Sequence, residues 1–465
     1  MLIETVFKRL LVSLLAAMFA ALTIVARANE KPNVVLIISD DQTWTDYGFM
    51  GHDAIRTPNL DKLASRSARF SRGYVPTALC RPSLATLVTG LYAHQHGITG
   101  NDPSPDPSIT PEEYARRRAA LIAKIDQLDT VPELLSERGY VSHQSGKWWE
   151  GNFSRGGFTH GMTRGFPQQG GRHGDDGLEI GRKGMEAVLN FIDEAKRDGK
   201  PFFVWYAPFL PHSPHNPPER LLEEYTKPGR HESLAKYYAM CEWFDETCGQ
   251  LVDHLDEADV ADNTIIIYVT DNGWIQRTPD TKVPDGWKTS FAPRSKQSPY
   301  EGGTRTPIMI CWPDKIEPAE RAEIVSSIDI APTILNAAGA RIPENLPGID
   351  LLPVVMENKP LDRAYVFGES FAHDVADVDN PQASLLYRWV ISGKWKLLLT
   401  YDGKVNRYKA VHLREEPRPQ LFDLLADPHE QVNLAGQHPA IVADLAKQIG
   451  AWWPVSERNV LTEYK

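Results

Sequence analysis

Asn33-Val34-Val35-Leu36-Ile37-Ile38-Ser39-Asp40-Asp41 is the stretch on which the reading of this chain turns. It is a continuous apolar run with no polar alternation, as expected of a strand covered on both faces, and it ends on two carboxylates. Similar runs occur at Phe202 to Ala207 (FFVWYA), Thr264 to Thr270 (TIIIYVT) and Thr306 to Trp312 (TPIMICW). Between them the pattern predicts helices over Asn59 to Phe70, Ser83 to Tyr92, Val131 to Arg138, Gly177 to Arg197 and Leu234 to Asp256. Strand–helix alternation of this kind implies an α/β fold with a mainly parallel central sheet flanked by helices. Ligands of such sheets sit beyond the carboxyl ends of the strands, so the residues just after each strand carry the functional reading.

Outward from this core, 465 residues fit two or three structural units. Lys8 and Arg9, the apolar run Leu10 to Val25 and Ala26-Arg27-Ala28 read as a signal peptide over residues 1–28. A secreted or periplasmic protein is expected, with no stable membrane span, because the run is short for a spanning helix and no later one is longer. Residues 29–355 read as the α/β catalytic domain and 356–465 as a small C-terminal antiparallel α+β subdomain. In the latter, Arg388 to Ser392 and Trp395 to Thr400 flank the turn Gly393-Lys394, and a helix over His438 to Trp452 closes the chain. A net charge of -11 argues against a nucleic-acid partner, which needs a basic face. Four cysteines in so long a chain are no disulfide framework. Cys241 and Cys248 lie about 10 Å apart along a helix axis, too far to bridge.

Asp40-Asp41 after the first strand and Asp271-Asn272 after TIIIYVT place carboxylates and an amide at the same sheet edge. Either pair alone reads equally well as turn or cap chemistry. Together they form the all-oxygen ligand set of a hard divalent cation, Ca2+ or Mg2+. Cys80-Arg81-Pro82-Ser83-Leu84 opens a helix, where the N-terminal field favours an anion. Taken alone, Cys80 reads equally well as a buried structural cysteine.

These motifs, with Thr57-Pro58-Asn59-Leu60-Asp61, Leu91 to Gly97, Gly146-Lys147-Trp148, Asp271-Asn272-Gly273, Glu301 to Pro307 and Leu421 to Leu424 with Asp427-Pro428, occur in the order seen in type I sulfatases of the alkaline-phosphatase-like superfamily. The resemblance covers nearly all of the chain after residue 28. It implies hydrolysis of a sulfate ester, on a sulfated small molecule or glycan. Cys80 matches the cysteine that a maturation enzyme oxidises to formylglycine, whose hydrate supplies the nucleophile. Asp40, Asp41, Asp271 and Asn272 match the ligands of a single Ca2+, with the modified Cys80 completing the site. Lys147 and Lys296 match lysines that hold sulfate oxygens, and His212 matches a histidine near the leaving oxygen. His215, in the same Pro-rich loop, and Arg305 read equally as structural groups.

Two positions depart from the family pattern. Leu84 stands where the Cys-x-Pro-x-Arg motif has its arginine, and Trp149 stands where the usual Gly-Lys-Trp-His has its histidine. Arg81 and His143 are the expected substitutes, His143 because it shares strand parity with Lys147. Two alternative functions follow. One is a phosphodiesterase or phosphonate monoester hydrolase of the same superfamily; the other is a catalytically silent relative that binds sulfated glycans. Specificity is expected from the loops Gly151 to Gly177 and Thr278 to Ser298.

Overall fold

The computed structural model describes residues 31–105, 107–274, 294–407 and 418–462. The signal-peptide segment and most of the loop Thr278 to Ser298 lie outside these residues. Strands in chain order are β1 (Asn33–Ser39), β2 (Ala68–Tyr74), β3 (Asp102–Pro103), β4 (Val141–Gly146), β5 (His160–Gly161), β6 (Phe202–Ala207), β7 (Thr264–Thr270) and β8 (Arg305–Cys311). They continue with β9 (Ala319–Arg321), β10 (Val325–Ser326), β11 (Val366–Phe371), β12 (Asp374–Val375), β13 (Leu385–Ser392), β14 (Trp395–Thr400) and β15 (Gln420–Asp423).

The main sheet has nine strands in the order β10-β2-β8-β7-β1-β6-β4-β5, with β9 beside β2. β8 runs antiparallel to both β2 and β7, and the other pairings are parallel. β1 lies at the centre between β7 and β6, and the alternation of its side chains divides the core. Val34, Leu36 and Ile38 pack toward the helices Cys80–Thr89, Val131–Ser136 and Ile330–Ala337. Val35 and Ile37 pack toward Pro58–Ser65, Glu186–Arg197 and Glu232–Glu257. A run that is apolar at every position is therefore what a doubly covered strand requires. Each fully buried aliphatic side chain contributes about 1.5–3 kcal/mol, which makes this centre a rigid base for the loops at its carboxyl edge.

Four strands, β11-β13-β14-β15, make a second, antiparallel sheet. One face, with Trp389, Ile391, Leu398 and Phe422, packs on Tyr74 and Tyr300 of the main unit. The other, with Val390, Leu397 and Leu421, is covered by Leu445 and Ile449 of the helix Pro439–Trp452. All four cysteines are free and buried.

Two local expectations need correction. The helix expected over Asn59 to Phe70 stops at Ser65, and Ala68 to Tyr74 is a strand. Ser67 ends the helix by donating from Oγ to the Leu63 carbonyl, and its own carbonyl accepts from Ala319, on the flanking strand. The helix expected from Gly177 begins only at Glu186. Its first residues instead form a short 3-10 turn, Asp175–Glu179, wedged against the end of β4.

Candidate active site

The carboxyl ends of four neighbouring strands deliver the site. Asp40 and Asp41 follow β1, Asp271 and Asn272 follow β7, Lys147 follows β4, and His212 follows β6 after a short loop. Successive residues of a strand point to opposite faces, so two adjacent carboxylates converge only if the backbone turns. Asp41 makes that turn with φ +64°, a left-handed conformation uncommon for a residue with a side chain. The arrangement is cross-braced: Asp41 N donates to Asp271 Oδ1 at 3.1 Å, and Asn272 Nδ2 donates to Asp41 Oδ1 at 2.7 Å. Asp271 N reaches the Ser39 carbonyl at 2.9 Å and Asp40 N the Leu210 carbonyl at 3.0 Å.

Cys80 is the first residue of the helix Cys80–Thr89. Its Sγ lies 3.9 Å from Asp40 Oδ1 and 3.8 Å from Asp41 Oδ1. Lys147 Nζ donates to Asp40 Oδ1 at 2.8 Å; Lys296 Nζ contacts Asp41 Oδ1 at 2.5 Å and Cys80 Sγ at 3.0 Å. His212 Nε2 stands 3.3 Å from Asp41 Oδ2 and 3.5 Å from Lys296 Nζ, while its Nδ1 is 2.5 Å from the Ser213 carbonyl. The structure thus brings Asp40, Asp41, Cys80, Lys147, His212, Asp271, Asn272 and Lys296 into one buried cluster.

Electrostatics mark the cluster as incomplete. Burial, reinforced by neighbouring carboxylates, pushes Asp40 and Asp271 above the usual carboxylate range despite Lys147 and Lys296. Burial opposes the charge on both lysines, but Asp40 beside Lys147 and Asp41 beside Lys296 outweigh it, so both stay protonated. Burial pushes the Cys80 thiol up to about 12, against the pull of the two lysines. Burial and the two lysines hold His212 well below the ordinary histidine value, so it is neutral. With Nδ1 donating to Ser213, its Nε2 presents a lone pair to the site.

Among the described residues, four buried oxygens here lack a hydrogen-bond partner: Asp40 Oδ2, Asp41 Oδ2, Asp271 Oδ2 and Asn272 Oδ1. One comes from each residue of the acidic quartet. Buried polar atoms are normally satisfied, and four orphans in one place ask for a cation. Three carboxylates against two lysines leave a net negative charge, and an all-oxygen set suits a hard divalent ion. Asp40, Asp41, Cys80 and His212 each offer an atom within 4.8 Å of the others, dimensions that fit one ion.

Neither expected substitute faces the cluster. His143 lies in β4 opposite Val204 and packs on Phe191, centroids 5.1 Å apart, on the sheet face of the helix Glu186–Arg197. The parity argument fails at Gly146: its φ of +86° redirects the chain, and a Cβ there would lie 1.8 Å from the Ala207 carbonyl oxygen. Arg81 is committed to Glu150, from Nε at 2.7 Å and Nη2 at 2.6 Å, and to the Asn101 carbonyl. Leu84 lies in the apolar core with Leu87 and Val88. Arg305 pairs with Glu301 and lies 3.9 Å over the Trp44 ring. His215 is half-buried beside Tyr237, its Nε2 has no partner among the described residues, and desolvation lowers its pKa to about 4.

Two residues that sequence reasoning passed over also border the site. Arg182 holds the histidine loop from behind, donating to the carbonyls of Phe209 and His212, each at 2.7 Å, and to Asn216 Oδ1 at 2.6 Å. His173 lies in the loop Gly165 to Gly177, beside Trp149 and Phe209. Neither belongs to a motif; only the fold brings them near.

Known proteins resemble this chain along most of its length. Residues 32–340 match the sulfatase family model, and residues 294–452 match the model for the C-terminal region of N-sulphoglucosamine sulphohydrolase. Human arylsulfatase A is 29% identical over 91% of this chain and 86% of its own. N-acetylgalactosamine-6-sulfatase of the dog, Canis lupus familiaris, is 28% identical over 92% of this chain and 85% of its own. The crystal structure of Ps i-CgsB in complex with k-i-k-neocarrahexaose superposes with a TM-score of 0.68 and 24% identity, covering 91% of this chain and 93% of that one, a likeness of fold. Among the described residues no helix is long and apolar enough to cross a membrane. With the family model spanning most of the chain, the protein belongs to the sulfatase family, the hydrolases of sulfate esters.

Proposed function

We propose that this sulfatase is an exported enzyme that removes sulfate from a sulfated carbohydrate, with one Ca2+ per chain and a formylglycine made from Cys80. The observation that carries this reading is the convergence of four orphaned oxygens beside Cys80, with two buried lysines opposite. Asp40, Asp41, Asp271 and Asn272 would hold the ion. When bound, it supplies charge neutralisation on a sulfuryl oxygen and a lower pKa for the attacking hydroxyl.

The chain's own groups do the rest. Lys147 and Lys296 hold the ester in line for attack by position 80. His212 Nε2 takes up a solvent proton once an anionic ester lies against it, since a nearby negative charge favours the imidazolium, and gives that proton to the leaving oxygen as the ester S–O bond breaks. A thiol with a pKa of about 12 is a poor nucleophile at neutral pH, so an unconverted Cys80 would not attack the ester. A cavity of about 420 Å³ lined by Trp44, Tyr238, Trp274 and Arg294 opens next to Thr43, two residues beyond Asp41. Its aromatic faces suit the packing of a sugar ring. The sulfated-sugar names of the relatives point the same way, and export rests on the sequence of residues 1–28.

Mass spectrometry of the Cys80 peptide from a host with the maturation system tests this directly. The expected mass has sulfur exchanged for oxygen and two hydrogens lost. Parallel assays with aryl sulfate and aryl phosphodiester substrates separate a sulfatase from a phosphodiesterase. Leu84 in the core and the protonated thiol favour one second reading, a silent glycan-binding relative. Calcium-dependent glycan binding with an unconverted Cys80 and no sulfate release would establish it.

A further inference from the structure

We propose that His173 supplies the imidazole that the family motif places where this chain has Trp149, and that a ring nitrogen of His173 hydrogen-bonds a sulfuryl oxygen held by Lys147 and Lys296. The proposal rests on the sulfatase reading above and assigns one further substrate-contacting group.

His173 arrives 24 positions after Trp149 through a folded-back glycine-rich loop. Its carbonyl accepts from Trp148 N at 3.3 Å, which fixes the loop to the residue next to Lys147. Gly174 follows with φ +146°, a conformation open essentially to glycine, and its carbonyl accepts from Thr163 Oγ1 at 3.0 Å. A Cβ on Gly177 would meet the Gly146 carbonyl oxygen at 2.6 Å, so the loop is seated directly on the turn that aims Lys147.

The ring of His173 packs on Trp149, centroids 5.0 Å apart, and Arg172 covers the same indole at 4.7 Å. Its other neighbour is Phe209, at 5.5 Å. Phe209 also stacks on His212 at 4.3 Å and lies 5.3 Å from Lys147 Nζ. His173, His212 and Lys147 therefore surround one phenyl ring at the edge of the cluster. Trp149 offers one indole donor, its Nε1 also buried without a partner among the described residues, but no basic nitrogen, so it cannot supply an imidazole itself. It serves instead as the platform that places an imidazole from elsewhere.

His173 Nδ1 is buried and has no hydrogen-bond partner among the described residues. An unmade bond on a buried nitrogen is costly, and the ring is held tilted against Trp149 and edge-on to Phe209. Lys147 and Lys296 are both close enough to disfavour its protonation, after burial itself, so the ring is neutral with one N–H to give. A neutral donor beside two ammonium groups fits an anion's oxygen and adds no third positive charge.

The test uses the Ca2+-loaded protein and three variants. His173→Phe keeps the packing against Trp149 and Phe209 and removes both nitrogens; His173→Asn and His173→Gln restore a donor near Nδ1 or Nε2. Sodium sulfate is titrated by calorimetry and kcat/KM is measured on an aryl sulfate, with melting temperature as the check on folding. In H173F the sulfate Kd is expected to rise, and kcat/KM to fall, by about 10-fold, one charge-assisted hydrogen bond, with at least one amide variant recovering most of both. Wild-type values in H173F, or an equal loss in all three variants, overturn the role of His173 while leaving the sulfatase reading intact. A wild-type protein that neither binds sulfate nor turns over the ester removes that reading, and this proposal with it.

Discussion

Two clusters of buried charge in this molecule are built alike and finished differently. At the tips of β1 and β7, Asp40, Asp41 and Asp271 face Lys147 and Lys296, one positive charge short and with an unpartnered oxygen on each carboxylate. Between the two sheets, Lys396 of β14 pairs with Glu301 at 3.0 Å and Glu430 at 3.1 Å, Arg305 sits 3.5 Å from Glu301, and Glu430 accepts from Glu301 N at 2.6 Å. There the charges balance. A balanced buried cluster is a strut, joining the C-terminal sheet to the loop that carries Lys296. The unbalanced one is the place of the cation proposed above.

Mutation should break this contrast from both sides. The largest effect is expected at the unfinished cluster: Asp271→Asn keeps the oxygen that accepts from Asp41 N but weakens the cation site, and should cost on the order of 10³-fold in kcat/KM. Its melting temperature in chelator should equal or exceed that of the wild type, because a buried like-charge repulsion has been removed. A melting scan beside the kinetics reads both.

At the strut the expectation reverses. Lys396→Met removes the cation that Glu301 and Glu430 share, leaving Arg305 alone against two buried carboxylates, and should lose about 3–5 kcal/mol of stability in denaturant titration, while the folded fraction still binds Ca2+. A smaller effect sharpens the boundary between the two clusters: Arg182→Met frees the loop bearing His212 and should lower kcat by about 10-fold with little change in calcium affinity. Steady-state kinetics with a calcium titration separates those terms.

The smallest effect on turnover concerns His143, which burial holds near a pKa of about 4. Below its ordinary value of about 6.5 the unfolded chain takes up a proton that the folded chain refuses. Its contribution to stability is therefore complete above pH ~6.5 and is lost as the pH falls toward 4. His143→Leu should flatten the acid limb of the stability profile by up to about 1.4 kcal/mol per pH unit in that window, with turnover unchanged. A change in turnover would return His143 to the site.

Much of this was legible in the sequence because burial on both faces writes itself as an unbroken apolar run. β1, β6 and β7 lie where their sequences place them, and so does the turn at Gly393. The gathering of Asp40, Asp41, Cys80, Lys147, His212, Asp271, Asn272 and Lys296 follows from their places after those strands and inside ordered motifs. β2 was not legible because it is only partly covered and its apolar spacing also suits a helix end. His143 misled because parity holds only while the strand continues, and Gly146 ends it. His173 and Arg182 left no trace, since a glycine-rich loop carries no periodicity from which a side chain's direction follows.

The central claim, that the acidic quartet holds a cation, is met most directly by calorimetric titration of chelator-treated protein with Ca2+, wild type beside Asp40→Asn and Asp271→Asn. One site per chain in the wild type, lost or greatly weakened in both variants, is the predicted result. Wild-type protein that takes up no Ca2+, or variants that bind it as tightly as the wild type does, would contradict the account.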